Sequence, residues 1–212
     1  MQTKPRIAIF MYQPYCSVQS GNGVIEALED HFNFKIFTRQ EVERNFFDNV
    51  DCVCFPGGFG DAKKFNFLLK HNKQRVIDYV KSGGKYLGIC MGGYWADREY
   101  FDILNNISVQ QYIIQPNTDT RRPHAKNINV MWDGRPEQLF FYDGPAFIGT
   151  DCQVVSRYQN GNAMAIVQDN IGLIGCHPEA VPFWYNGYSW MKGKWVDKRY
   201  LLRNFVQNLL DN

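Results

Sequence analysis

The sequence predicts an α/β fold, a three-layer sandwich in which helices cover both faces of a mostly parallel sheet. In the first half of the chain, short apolar segments alternate with segments of helical periodicity, which is typical of strands joined by crossover helices. In the second half, short strand-like segments are separated by turn residues, so extra β-hairpins are expected there. Hydrophobic residues make up 45% of the 212 residues, enough to build one core. We therefore expect a single domain over residues 1–212.

Apolar runs and helical spacing place the elements of the first half. Two glycines, Gly21 and Gly23, indicate a polar loop before the first helix. Ser82-Gly83-Gly84 is a typical helix end and precedes the fourth strand. Strands are predicted over residues 6–10, 34–37, 50–55 and 85–89, and helices over 24–29, 41–47 and 65–81.

The second half carries turn signals and an aromatic-rich segment. Strands over 153–158 and 163–168 flank Asn160-Gly161, a hairpin signal, and a further strand from residue 171 leads to His177. Residues 182–196 are predicted to form an aromatic-rich loop that either lines a pocket or subunit contact or folds its rings onto the core. Residues 197–212 are predicted to form an amphipathic helix.

The pentapeptide Gly88-Ile89-Cys90-Met91-Gly92 is the most informative feature of the sequence. A reactive residue between two glycines, after an apolar strand and before a helical stretch, is typical of a nucleophile elbow. The elbow would hold Cys90 in a strained conformation at a helix N-terminus, where the helix dipole favours a thiolate. The alternative is a buried structural cysteine, and the flanking glycines and a downstream partner motif favour the nucleophile.

The partner motif is His177-Pro178-Glu179. Residues two apart in extended chain point the same way, and the proline between them keeps the chain extended. His177 could therefore take the thiol proton of Cys90 while Glu179 orients and charges the imidazole, the arrangement of a Cys-His-Glu triad. The alternative is a loop histidine beside a surface glutamate.

A glycine pair after the third strand supplies candidate oxyanion donors. Gly57 and Gly58 follow Pro56 at the end of that strand, where open α/β sheets bind ligands. Their backbone N–H groups, together with that of Met91, are predicted to form an oxyanion hole. The alternative is a glycine turn that only reverses the chain.

Composition argues against several other classes of protein. The formal net charge is +2, which gives no indication of a nucleic-acid or membrane surface. The six cysteines lack a disulfide framework, and the histidines are not spaced for metal ligation, so we expect a reduced, cytoplasmic protein with no metal and no cofactor. The apolar run near the start is too short for a signal peptide.

Together, Pro56-Gly57-Gly58, the Cys90 elbow and His177-Pro178-Glu179 resemble the three motifs of the class I glutamine amidotransferase superfamily in order and spacing. Within it, the chain is most similar to the N-terminal domain of eukaryotic-type biotin–protein ligases, over segments 85–94, 141–147 and 154–179. The resemblance implies a flavodoxin-like fold. It also implies a cysteine-dependent amide hydrolase or amidotransferase that acts through a thioester, with Phe59, Tyr94 and Tyr142 as substrate-binding candidates.

Two departures from the superfamily pattern bear on the substrate. Tyr94 stands where glutamine-using members carry a glutamine, and Gly175-Cys176 replaces the usual Gln-Phe before the histidine. The hydrolytic residues therefore carry over and the glutamine-binding residues do not, which leaves a small-molecule amide or acyl compound as the expected substrate. The sequence also lacks a glycine-rich biotinyl-adenylate motif, so biotin ligation by this chain alone is not expected.

Two other functions compete with the hydrolase. The first is a glutaminase subunit that feeds ammonia to a separate synthetase, for which the aromatic segment would offer a partner surface. The second is a binding or regulatory module that keeps the fold and captures a ligand without turnover, and Tyr94 is consistent with it. A homo-oligomeric partner is a further expectation.

Overall fold

A computed structural model describes residues 4–212, and it contains one eleven-stranded mixed sheet. The strands are β1 Arg6–Phe10, β2 Asn33–Phe37, β3 Cys52–Phe55, β4 Lys85–Ile89, β5 Ser108–Gln111, β6 Lys126–Trp132, β7 Arg135–Phe141, β8 Pro145–Ile148, β9 Gln153–Tyr158, β10 Ala163–Gln168 and β11 Ile171–Ile174. The helices are α1 Val18–Leu28, α2 Phe65–Leu69, α3 Lys73–Lys81, α4 Met91–Trp95, α5 Pro182–Asn186 and α6 Arg199–Asp211.

The sheet changes from parallel to antiparallel pairing at β11. Strands β2, β1, β3, β4 and β11 pair in parallel in that order. From β11 onward, β10, β9, β6 and β7 pair antiparallel, and β8 and β5 extend from β10. A parallel sheet is therefore correct for the first half. In the second half, all pairs except that of β11 with β4 are antiparallel, and several of them are hairpins such as the one at Gly161.

Helices cover both faces of the parallel strands, as expected for an α/β sandwich. Along β1, Ile7 and Ile9 pack in the core beneath α1 and α6, whereas Ala8 and Phe10 pack in the core beneath α2 and α3. This alternation follows from the period of two along a strand. It makes β1 buried on both sides, which explains its continuous apolar sequence.

The helix predicted over 65–81 is interrupted between α2 and α3 by the buried side chain of Asn72. Its Nδ2 donates to the carbonyl oxygens of Thr38 and Gln40 at 3.2 and 2.7 Å, and its Oδ1 accepts from the Val42 N–H at 3.1 Å. Asn72 thus secures the backbone of a neighbouring loop, a use of asparagine that competes with helix continuity. The helix predicted over 41–47 is wrong, because this segment folds as turns.

Helix α1 begins six residues before its predicted start. Ser17 caps it, and Gly21 and Gly23, predicted to lie in a loop, are both helical. The helix passes close to the loop that holds Glu179: a Cβ on Gly23 would lie 2.6 Å from the Glu179 carbonyl oxygen. The glycines are therefore required by close packing and not by a turn.

The aromatic-rich segment is not entirely a loop, because Pro182 starts the short helix α5. Some of its side chains are buried: Tyr185 and Met191 pack with Phe140 in a small third core cluster. Among residues 4–212, no helix combines the length and the apolar character needed to cross a membrane.

Candidate active site

Strand β4 turns sharply into α4 at Cys90. The φ and ψ angles of Cys90 are 50° and −99°, a conformation that side-chain-bearing residues rarely adopt. The turn is tight enough that a Cβ on Gly92 would lie 1.9 Å from the carbonyl oxygen of Phe55 in the neighbouring strand. The Cys90 N–H donates to the Ile174 carbonyl at 2.8 Å, which joins the elbow to the end of β11.

The chain delivers His177 to the same edge of the sheet. Because β11 runs parallel to β4, the carboxyl ends of the two strands are adjacent. His177 follows β11 closely, and its Nδ1 forms a hydrogen bond of 2.8 Å with Glu179 Oε1. Both residues are buried, with exposed fractions of 5% and 0%.

The electrostatic surroundings favour a charged imidazole. Burial alone would lower the pKa of His177, but the negative charge of Glu179, its hydrogen bond to the ring and the neighbouring Cys90 raise that pKa to about 10. The residues predicted as nucleophile, base and orienting carboxylate therefore lie together. Such a cluster can hold an imidazolium beside a thiolate.

Ser20 is a site residue that sequence reasoning missed. Its Oγ donates to Glu179 Oε1 at 2.8 Å and accepts from the Gly57 N–H at 2.9 Å. Ser20 lies in the first turn of α1 and is 1% exposed. Its sequence position indicates only a polar loop, so nothing local shows that it reaches a glutamate 159 residues away.

The prediction that Gly57 supplies an oxyanion donor is wrong, because its N–H is already bound by Ser20. The glycine instead leaves room for the imidazole: a Cβ there would lie 2.3 Å from His177 Cε1. The N–H of Gly58 donates to no protein atom in residues 4–212. Met91 is the first residue of α4, so helix geometry leaves its N–H free as well.

A cavity of about 480 Å³ opens beside Cys90. The three substrate-binding candidates Phe59, Tyr94 and Tyr142 all line it. The rings of Phe59 and Tyr142 meet edge to face at 5.4 Å, and Tyr94 donates its hydroxyl to the Asp143 carbonyl at 3.1 Å. The structure thus places these three side chains in the same cavity as the Cys90 thiol.

Asp143 is a second residue that the sequence did not single out. It lines the Cys90 cavity, and its Oδ2 accepts from Gln111 Nε2 at 2.9 Å. Its other oxygen is buried and has no partner among residues 4–212. Burial raises the pKa of the Asp143 carboxyl, although the Gln111 bond opposes this. The Asp143 carboxyl thus combines one hydrogen-bonded oxygen with one buried, unpartnered oxygen.

Two sequence comparisons relate the chain to biotin-protein ligases. Residues 15–110 match the model of the biotin-protein ligase N-terminal family. The biotin–protein ligase of Schizosaccharomyces pombe is 27% identical, in an alignment that covers 60% of this chain. It covers 25% of the ligase, so the chain spans about a quarter of the length of the curated relative it matches. The matched family segment contains Cys90 and ends before His177.

Solved structures confirm the fold class. A glutamine amidotransferase from Thermotoga maritima superposes with a TM-score of 0.68 at 16% identity, over 100% of both chains. A chain of PurLQS from Thermotoga maritima superposes with a TM-score of 0.61 at 16% identity, over 98% of this chain and 100% of that one. The predicted resemblance to amidotransferases and to the ligase N-terminal domain is therefore confirmed, and the fold is of the class I glutamine amidotransferase type.

Proposed function

We propose that this protein is a cysteine-dependent amide hydrolase or amidotransferase that forms a thioester on Cys90. The observation that carries the proposal is the 2.8 Å bond between His177 and Glu179, buried beside a cysteine held at a strained strand-to-helix turn. Strain at a cysteine and burial of a charged pair both cost stability, and they are typical of active sites.

The reaction would proceed in two steps. The Cys90 thiolate attacks the acyl carbon, and the imidazolium of His177 gives its proton to the leaving amine. The N–H groups of Gly58 and Met91 stabilise the oxyanion, and loss of one such donor typically costs about 3 kcal/mol of transition-state stabilisation. A water or acceptor then loses a proton to His177 and attacks the thioester, which restores the thiolate. This scheme requires no cofactor.

We further propose that free glutamine is a poor substrate. Tyr94 occupies the position of the glutamine-binding side chain, and its hydroxyl is engaged with the Asp143 backbone in the cavity wall. An amide or acyl compound other than free glutamine is therefore the proposed substrate.

A glutaminase subunit is the second candidate function. The fold similarity to a chain of PurLQS supports an assembly with a synthetase. Two large aromatic side chains in the segment after the triad, Phe183 and Trp190, are 67% and 54% exposed and could take part in such a contact. Ordinary glutamine turnover, on the order of 1–1000 per second, would favour this candidate over the first.

The free state of the six cysteines supports a reducing, cytoplasmic environment, which we propose as the compartment. The continuous sheet supports the proposal that the chain acts as one domain.

The covalent step can be tested with p-nitrophenyl acetate as a generic acyl donor. We expect one acetyl group on the Cys90 peptide by mass spectrometry. Cys90→Ala and His177→Ala should each abolish most acyl transfer, and the double variant should lose little more, because residues that act in one step are non-additive. Cys152→Ala, which changes a partly exposed cysteine outside this site, is the matched control. Near wild-type activity in folded Cys90→Ala would exclude the thioester, whereas absence of acyl transfer in the wild-type chain would favour a non-catalytic binding module.

A further inference from the structure

A second cavity, of about 270 Å³, lies against the imidazole. His177 lines it, whereas Cys90 lines the first cavity. Gly58 and Phe59 belong to the walls of both, so the two cavities meet at the candidate oxyanion donor. The thioester would therefore be flanked by one cavity on the thiol side and another on the imidazole side.

The walls of the second cavity are mainly aromatic. Trp184 packs edge-on against His177 with ring centroids 5.2 Å apart and against Phe140 at 5.3 Å. Phe183 and Tyr188 complete the wall that the segment after the triad contributes. A few polar side chains, including Gln19 and Ser20, also line the cavity. Apolar walls with a few polar groups are typical of sites for small organic ligands.

The position of this cavity fits the second half of the reaction. Nδ1 of His177 is bound to Glu179, so Nε2 is the ring nitrogen left to accept a proton from an incoming nucleophile. The cavity is far larger than the roughly 30 Å³ that one water occupies in the liquid. Hydrolysis alone needs neither this volume nor these walls.

From this geometry we infer that the second cavity binds the acyl acceptor, a primary amine carried on a flat aromatic body. The inference rests on the proposed function. Aromatic walls pack well against another ring, and His177 in the cavity wall can accept the proton that an attacking amine loses. An amine of this class would compete with water for the thioester, which makes the protein a transferase toward that amine.

Transfer to the amine replaces the C–S bond of the thioester with a C–N bond. The neutral amine nitrogen attacks the thioester carbon, a C–N bond forms and the C–S bond breaks. The electron pair of the C–S bond returns to Cys90 as thiolate, and the proton of the amine passes to His177. The products are an amide and the imidazolium–thiolate pair of the free protein.

The experiment uses the whole chain, acetylated at Cys90 by p-nitrophenyl acetate, with phenethylamine and n-butylamine as probes. Decay of the acetyl-protein is followed by intact mass, and the amide product by chromatography. We expect phenethylamine to accelerate decay with saturation and to yield N-acetylphenethylamine, whereas n-butylamine should act weakly and in proportion to its concentration.

Phe183→Ala is the decisive variant, because this side chain is 67% exposed and its loss does not disturb the core. It should raise the half-saturating concentration of phenethylamine roughly 3–10-fold, the range expected for loss of one aromatic contact. Phe67→Ala, with a similarly exposed ring on α2, should not change it.

The possible failures are distinguishable. Two results would overturn the acceptor site alone. The first is an acetyl-transfer rate that is equal for both amines and rises linearly with the concentration of each. The second is a Phe183→Ala variant that behaves as wild type. Absence of acetyl-Cys90 would overturn the proposed function, and the acceptor site with it.

Discussion

Replacing Ser20 by alanine tests whether this side chain supports the triad. The change removes the hydroxyl that donates to Glu179 Oε1 and accepts from the Gly57 N–H, at 2.8 and 2.9 Å. A hydrogen bond to a charged group contributes about 1.5–3 kcal/mol, and an orphaned buried N–H costs about 1–3 kcal/mol. The two losses share one site and are not fully additive, so we expect a fall in unfolding free energy of about 2–4 kcal/mol.

Urea unfolding measures this difference, and Ser156→Ala is the matched control. Ser156 is also 1% exposed, but its Oγ has no hydrogen-bond partner among residues 4–212. Its replacement should be neutral or slightly stabilising, because an unsatisfied buried hydroxyl is removed. The acyl-transfer rate of Ser20→Ala should fall as well, since Glu179 then holds His177 less firmly. Equal stabilities for the two variants would refute the role assigned to Ser20.

Three further predictions concern the triad. Cys90, although only 6% exposed, should react with iodoacetamide at neutral pH before the more exposed Cys152. Peptide mapping at limiting reagent measures the order, which would be reversed if accessibility alone determined the rate of labelling. Because the pKa of His177 is raised to about 10, its charged form stabilises the fold fully below about pH 6.5 and loses that effect as pH rises through about 10. Glu179→Gln should therefore destabilise the protein most near pH 6 and progressively less toward pH 10 in urea unfolding, and a pH-independent deficit would contradict this. Gly57→Ala should shift the imidazole, because the new Cβ would meet its Cε1 at 2.3 Å, and should lower acyl transfer by about 10²-fold, the cost of a misplacement near 1 Å.

The parts of the site that could be predicted from the sequence are those with short-range signals. A cysteine flanked by glycines, after a strand and before a helix, indicates the Cys90 elbow because the turn itself demands those glycines. His177 and Glu179 are two residues apart, so their joint orientation follows from extended backbone. The hairpin at Asn160-Gly161 was predictable for the same reason, since its φ of +90° at Gly161 requires a glycine.

The parts that escaped prediction depend on contacts between distant segments. Gly21 and Gly23 resemble a loop in sequence, yet they are helical because α1 packs closely against the segment of Glu179. Ser20 and Asp143 are ordinary polar residues until the fold brings them to the triad and to the Cys90 cavity. The interruption of the helix at Asn72 likewise arises because its side chain forms hydrogen bonds with the backbone of a loop about 30 residues away.

The pairing of β4 with β11 has a consequence for the order in which the protein becomes active during synthesis. Strand β4 ends at Ile89 and β11 begins at Ile171, so the ribosome must add about 80 residues before the edge of β4 can be covered. At roughly 5–20 residues per second, this takes about 4–16 s, during which the strand before Cys90 is an open edge. The nascent chain at that stage carries a thiol and no base, since His177 follows β11. The late arrival of β11 thus covers the edge of β4 and brings the histidine and glutamate to the thiol in a single event, so a shorter nascent chain cannot carry out the proposed acyl transfer.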